Sequence, residues 1–326
     1  MKRRQVLQGI VASCAMLVLI LDGQTALQGA SQGIELCLKA VIPSLFPFFV
    51  LSTLITNSLY GSSLYFLRPI TKLCQIPSGA ECLLIPAFLG GYPAGAQSIY
   101  TAYQSENLSR QNAIRMLAFC NNAGPAFLFG MVSPLFPSQW YVWVLWLIHI
   151  LSAILTAITI PASGNKSVSI SSPGETSVSQ ALSGALRTTA LVSGWVILFR
   201  IFIAILNRWL LWIFPLEVRV IFIGLMELAN GCTELCSISN INLRFLICSG
   251  LLSFGGGCVF MQTMSAIHDL PVQSYLLGKY KQTIFSLILS AAFLSRQLTP
   301  VVLLLTGAFL LQKCKNKSRF HRILHV

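Results

Sequence analysis

The chain has 326 residues, of which 55% are hydrophobic and only 10% charged, with a mean hydropathy of +0.74. A soluble domain carries about 25% charged residues, so the composition excludes an ordinary globular protein and points to an all-α polytopic membrane protein. The net charge of +13 is read as topology-setting charge between apolar spans rather than a nucleic-acid surface.

Residues 1–4 hold three positive charges ahead of the apolar run 6–21. Residues 26–31 offer no convincing small-x-small cleavage site, so residues 1–32 are read as a retained anchor helix rather than a cleaved signal. A second span is predicted over 41–60, bent at its start by Pro43 and Pro47, followed by an interfacial piece over 59–75. Ser78 and Glu81 have capping-box spacing, which assigns Glu81 a structural role. The stretch GGYPAGAQ (90–97) then places three glycines and a proline inside an apolar run. Such a break is tolerated in a bilayer only where it is buried in protein or lines a wet cavity, which makes it the first candidate site. Residues 81–103 are read as a re-entrant hairpin. Residues 118–129, AFCNNAGPAFLF, break a second helix (110–133) at Asn121, Asn122, Gly124 and Pro125. Residues 140–160 form a clean span in which His149 is read as a packed or helix-bonded residue, and 161–180 form a linker.

The second half repeats the first. Residues 81–97 lie over 217–233, which sets Gly91 opposite Glu227 and Gly95 opposite Gly231, and 119–127 lie over 252–260, with Gly124 opposite Gly257. Repeat 1 thus covers 33–160, and repeat 2 covers 181–295 with a hairpin at 215–240 and a broken helix at 244–268. A last helix and basic tail occupy 296–326. With three crossings per repeat the second is inverted, and the terminal helices raise the total to eight. The lysines and arginines then divide into 16 on the side of the termini, Arg115, Lys279 and Lys281 among them, and 5 on the other, Lys39, Arg208, Arg219, Arg244 and Arg296, with Arg200 left inside a helix. That bias places both termini in the cytoplasm.

Two hairpin tips and two unwound helices would converge near the midplane, their half-helix N-termini favouring an anionic or carbonyl-rich ligand. The candidate substrate-binding residues are Gly91, Tyr92, Pro93, Gln97, Asn121, Asn122, Glu227, Asn230, Ser253, Gly255, Gly256 and Gln262. Glu227 stands out as a carboxylate in an apolar half-helix. Arg200 is either its charge partner or an arginine reaching for an interface. The ten cysteines show no CxxC and no His/Cys cluster, and read as packing residues. No metal or catalytic group is expected, and GxxxxGK[ST] is absent.

IPSLFPFF, LGGYPAGAQ, RMLAFCNNAGPAFLFG and the late SFGGG with Gln262 resemble the YlbJ-type sporulation integral membrane proteins of the nucleoside-recognition, or Gate, domain family. The resemblance runs from about residue 33 to residue 290. More distantly the arrangement is similar to concentrative nucleoside transporters, although the acidic residue of their first hairpin tip has no counterpart in GGYPAGA. The resemblance implies a role in endospore formation, in cortex development and in passage of dipicolinic acid across a forespore membrane. The expectation is a transporter or facilitator of a small anionic metabolite, with sodium or proton coupling left open and no cofactor. Its alternatives are a nucleoside-type transporter and a non-transporting scaffold for spore cortex formation. Expected partners are the lipid bilayer, a small-molecule substrate and further copies of the chain in an oligomer, with no nucleic acid.

Overall fold

A computed structural model of the chain describes residues 2–59, 62, 64–161, 177–297, 299–300, 302–304 and 306–307. Among these the fold is all-helical. Helices α1 (Lys2–Leu21), α2 (Gly23–Leu36) and α3 (Ile42–Ser58) lead into the short α4 (Arg68–Leu73). The first broken region comprises α5 (Ala94–Gln104), α6 (Arg110–Leu117) and the single turn α7 (Pro125–Phe127), and is followed by α8 (Gln139–Thr159). The second half has α9 (Val178–Trp209), α10 (Leu216–Met226), α11 (Leu228–Glu234), α12 (Ile241–Phe254), α13 (Gly256–Ile267) and α14 (Gln273–Leu294). Most of the 161–180 linker and the tail beyond 307 lie outside the described residues.

Among the described residues four stretches are long and apolar enough to cross a membrane: Gly23–Ser58, Gln139–Thr159, Val178–Trp209 and Ile241–Ile267. The first of these differs from the reading of a short anchor followed by a new span at 41. Residue 32 falls inside α2, and α2 continues into α3 as 36 residues of helix. Pro43 and Pro47 do not stop it, because a wide π turn over Cys37–Val41 absorbs the loss of the Pro43 N–H and the bulk of its ring. Similar turns stand next to the two breaks of this half, before the first at Pro86–Gly90 and after the second at Leu128–Val132.

Helix α2 lies along α9 through Gly29 and Gly33, a GxxxG spacing that lets the backbones approach. A Cβ on Gly29 would stand 2.9 Å from Ala204 Cβ, and one on Gly33 would stand 3.0 Å from Ile197 Cα. Asp22 fixes the end of this pair by accepting from Arg208 at 3.0 Å and from Trp209 Nε1 at 3.0 Å. On the opposite side α14 packs on α8 and α12, joined to α12 by a buried hydroxyl cluster of Ser249, Ser286 and Ser290. Arg115, counted among the charges on the side of the termini, is buried instead, and its guanidinium donates to the carbonyls of Cys74, Gln75, Ala157 and Pro161.

The closest approaches need glycine. A Cβ on Gly278 would collide with the Ala118 carbonyl, and one on Gly95 with the Cys120 carbonyl, so carbonyls at the second break lie against glycine surfaces. Gly278→Ala and Gly95→Ala should each destabilise by about 1–3 kcal/mol through overpacking, read as a lower melting temperature of the purified protein. Gly184→Ala, with nothing within 4 Å, should melt no earlier than wild type; equal melts for all three would contradict the packing.

Candidate functional site

The first tip turns at Gly91, whose φ of +82° is a left-handed conformation that glycine adopts without strain. It meets the second break head-on: a Cβ on Gly124 would lie 2.9 Å from Gly91 N. Asn122 ties these pieces together. Its Nδ2 donates to the carbonyls of Ala87 and Phe119, at 3.2 and 2.8 Å, which satisfies backbone that the breaks leave without helical partners. Asn121 does likewise, accepting from Ala96 N at 3.4 Å and donating to Thr263 Oγ1 at 2.9 Å. His149 Nε2 accepts the amide of Ala123 at 3.1 Å. That bond leaves the proton on Nδ1, which lies 3.3 Å from Ser253 Oγ. His149 is therefore a bonded core histidine, as its sequence context suggests.

In the second half α10 ends at Glu227, whose extended backbone caps α11. One carboxylate oxygen accepts from Ala229 N at 3.0 Å; the other accepts from Asn230 N and Asn230 Nδ2, both at 2.6 Å. Both oxygens are thus engaged at a helix N-terminus. Of the two readings of Arg200, the pairing with Glu227 is not made by direct contact. Its guanidinium donates to Gln32 Oε1 at 2.7 and 3.2 Å, and among the described residues the ion pairs are Lys39–Glu35 and Arg208–Asp22. Glu81, also read as structural, accepts from Gly79 N at 2.7 Å, in place of the capping box expected with Ser78.

Tyr92, Glu227 and Gln262 face one cavity, together with Ala123, Gly124 and the first residues of α11. Its volume is about 40 Å³, too small in this conformation for an organic substrate. Gln262 bonds only Cys258 Sγ, at 3.2 Å, which leaves its amide oxygen available to a ligand. Gln97 stands apart from this group, bonded to Thr188 at 3.2 Å. It lines a separate vestibule of about 280 Å³ between α3, α5 and α9, whose polar wall includes Ser52, Thr53, Thr56, Ser98 and Thr101.

The centre also contains a residue the sequence reading placed elsewhere. Lys279, counted among the cytoplasm-side charges, is 1% exposed. Its Nζ donates to Tyr92 Oη at 3.1 Å and to Gln282 Oε1 at 2.8 Å. Gln282 Nε2 in turn donates to Asn122 Oδ1 at 2.9 Å, and Tyr92 Oη donates to the Leu252 carbonyl at 3.1 Å. The signal was present in α14 as a polar stripe: Tyr275, Lys279, Gln282, Ser286 and Ser290 recur at helical spacing and all are buried.

Within this geometry the chain can be compared with known proteins. It is 22% identical, over an alignment of 318 residues, to the Sporulation integral membrane protein YlbJ of Bacillus subtilis (strain 168), covering 81% of this chain and 76% of that one. The chain is a distant YlbJ-type relative. No family model matches it, and no solved structure does. That relative is named an integral membrane protein, and the four long apolar helices of this chain's described residues agree with such a character.

The cap at the second tip can be tested directly. Glu227→Ala strips three donors of their acceptor and should lower stability by about 2 kcal/mol, whereas Arg200→Gln should cost less than half of that. A thermal melt unaffected by Glu227→Ala would remove the capping role.

Proposed function

We propose that the chain is a sporulation-associated membrane transporter or facilitator of a small anionic metabolite, working by alternating access around the cavity between the breaks. The observation that carries this reading is the convergence of both tips and both interrupted helices on one closed cavity lined by Tyr92, Gly124, Glu227 and Gln262. The Gly124 and Leu228 amides border it, beside the Glu227 carboxylate that already caps α11, and the amide oxygen of Gln262 is left as an acceptor. A cavity of this size with a hydroxyl-lined vestibule beside it fits an occluded state that opens to one side at a time.

The two halves are read as inverted-topology repeats with eight crossings and both termini in the cytoplasm. The matching positions of the breaks, Gly91 with Glu227 and the 118–124 segment with Gly255, favour that reading. The YlbJ resemblance implies dipicolinic acid as the metabolite, and sodium or proton coupling remains part of the proposal to be measured.

Uptake of labelled dipicolinate and of a nucleoside into vesicles, with and without a sodium or proton gradient, tests the reading. Dipicolinate should enter faster than the nucleoside, and Gln262→Leu and Glu227→Gln should each cut its uptake at least ~10-fold, about 1.4 kcal/mol, in folded protein. Undiminished uptake by both variants would sink the proposal, and absence of any dipicolinate uptake would return the scaffold reading.

A further inference from the structure

The vestibule and the small central cavity share two walls. On α3, Val41 and Leu45 line the cavity, and Phe49, Ser52 and Thr56 line the vestibule further along the same helical face. On α9, Val196 and Val192 line the cavity, and Thr188 and Ala185 line the vestibule. The first tip stands between the two. Tyr92 lines the cavity, and Ala94, two residues on, lines the vestibule. Phe49, 3% exposed, completes the partition together with Gly90, where an added Cβ would stand 3.2 Å from Ser52 Oγ.

The vestibule leads away from the cavity toward one end of the molecule. The lining farthest along these helices is Asn57, Ser105 and Gly184, at the last turn of α3, just past the end of α5 and in the second turn of α9. The linker before α9 joins at this end. The exposed stripe of α5 here is polar, with Gln97, Thr101 and Gln104 recurring at helical spacing. Exposed residues of α8 and α9 such as Trp140, Trp143, Leu186 and Leu191 are apolar instead. In a membrane protein a polar exposed stripe faces water, because lipid offers its side chains no partners. The vestibule lining holds no charged side chain, which suits passage more than tight binding.

Two features make the partition movable. Pro47 lies inside α3 between Leu45 and Phe49 and cannot donate to the preceding turn, which weakens the helix at the level of the partition. The side-chain bond from α5 to α9 rests on a shared proton. The Thr188 hydroxyl has one hydrogen and two acceptors, the Gly184 carbonyl at 3.0 Å and Gln97 Oε1 at 3.2 Å. When the Gln97 contact opens, the hydroxyl keeps its bond within α9, so no buried donor is orphaned.

We infer that the vestibule is the water-filled entry to the central cavity from the face that carries the linker, and that the first tip, Phe49 and the Gln97–Thr188 bond form its gate. This route rests on the transport reading and adds to it the side at which the cavity opens and the residues that open it. Gln97 then acts on the path and not in the site.

The test is labelling of the full-length protein in sealed vesicles with 2-sulfonatoethyl methanethiosulfonate, a small anionic thiol reagent that does not cross bilayers. Reading the product peptide by peptide by mass spectrometry separates the introduced cysteines from the native ones. Lys166→Cys, in the linker, marks the face that the reagent reaches. Thr101→Cys should be labelled from that face and not from the other. Leu45→Cys, on the cavity wall, should be labelled slowly from the same face; Val192→Cys replaces it should that variant fail to fold. Gln97→Ala should speed labelling of the cavity cysteine ~5-fold, the population shift for losing one net hydrogen bond, and Ser98→Trp, which fills the vestibule, should slow it by a similar factor. The route is overturned if Thr101→Cys is labelled from the opposite face or not at all, or if either Gln97→Ala or Ser98→Trp leaves the rate at the cavity cysteine unchanged. Dipicolinate uptake that survives Ser98→Trp with unchanged labelling would overturn the route and leave transport standing. Labelling as expected with no dipicolinate uptake would retain the route and remove that substrate.

Discussion

A chain of side-chain hydrogen bonds, from Asn122 through Gln282 and Lys279 to Tyr92 and the Leu252 carbonyl, holds the centre of this protein together. Its members come from both halves of the sequence and from three of the four interrupted segments. A break in a membrane helix exposes N–H and C=O groups that lipid cannot satisfy, so each break needs partners from elsewhere in the protein. Asn122 supplies them to Ala87 and Phe119, His149 to Ala123, and Glu227 to the start of α11. The glycines at 91, 95, 124 and 278 allow the backbones to come close enough for those bonds to form.

Much of this organisation is legible in the sequence because breaks are conspicuous there. Three glycines and a proline in eight apolar residues, or two asparagines followed by glycine and proline, cannot be read as continuous helix, and the structure turns at both places. The capping partner of Glu227 was not visible, because a carboxylate within an apolar run invites a search for a cation. The donors are instead its own neighbours two and three residues on, a local solution that a pattern of charges does not display. Pro43 misled in the opposite direction. A proline after a glycine-containing polar stretch suggests a boundary, yet a π turn carries the helix through it.

Lys279 and Arg115 show a more general limit. Charge counting treats every lysine and arginine as a solvent-facing topology marker, and these two are buried, at 1% and 4% exposed. Arg115 is accommodated because four carbonyls surround its guanidinium; Lys279 is accommodated by two hydrogen bonds, with Nζ 5.0 Å from the Tyr92 ring centre. Helical periodicity in α14 would have separated Lys279 from Lys281, since 279 shares its face with 275, 282 and 286. The bonds that repair the breaks also fix Tyr92 on the wall of the small cavity it shares with Glu227 and Gln262.

The claim on which this account rests is that Asn122 and Gln282 act as one unit across the two halves. A double-mutant cycle of Asn122→Ala and Gln282→Ala, read as stability of the purified protein, measures that directly. The account predicts a coupling of about 1 kcal/mol or more; additive losses, within about 0.3 kcal/mol, would contradict it.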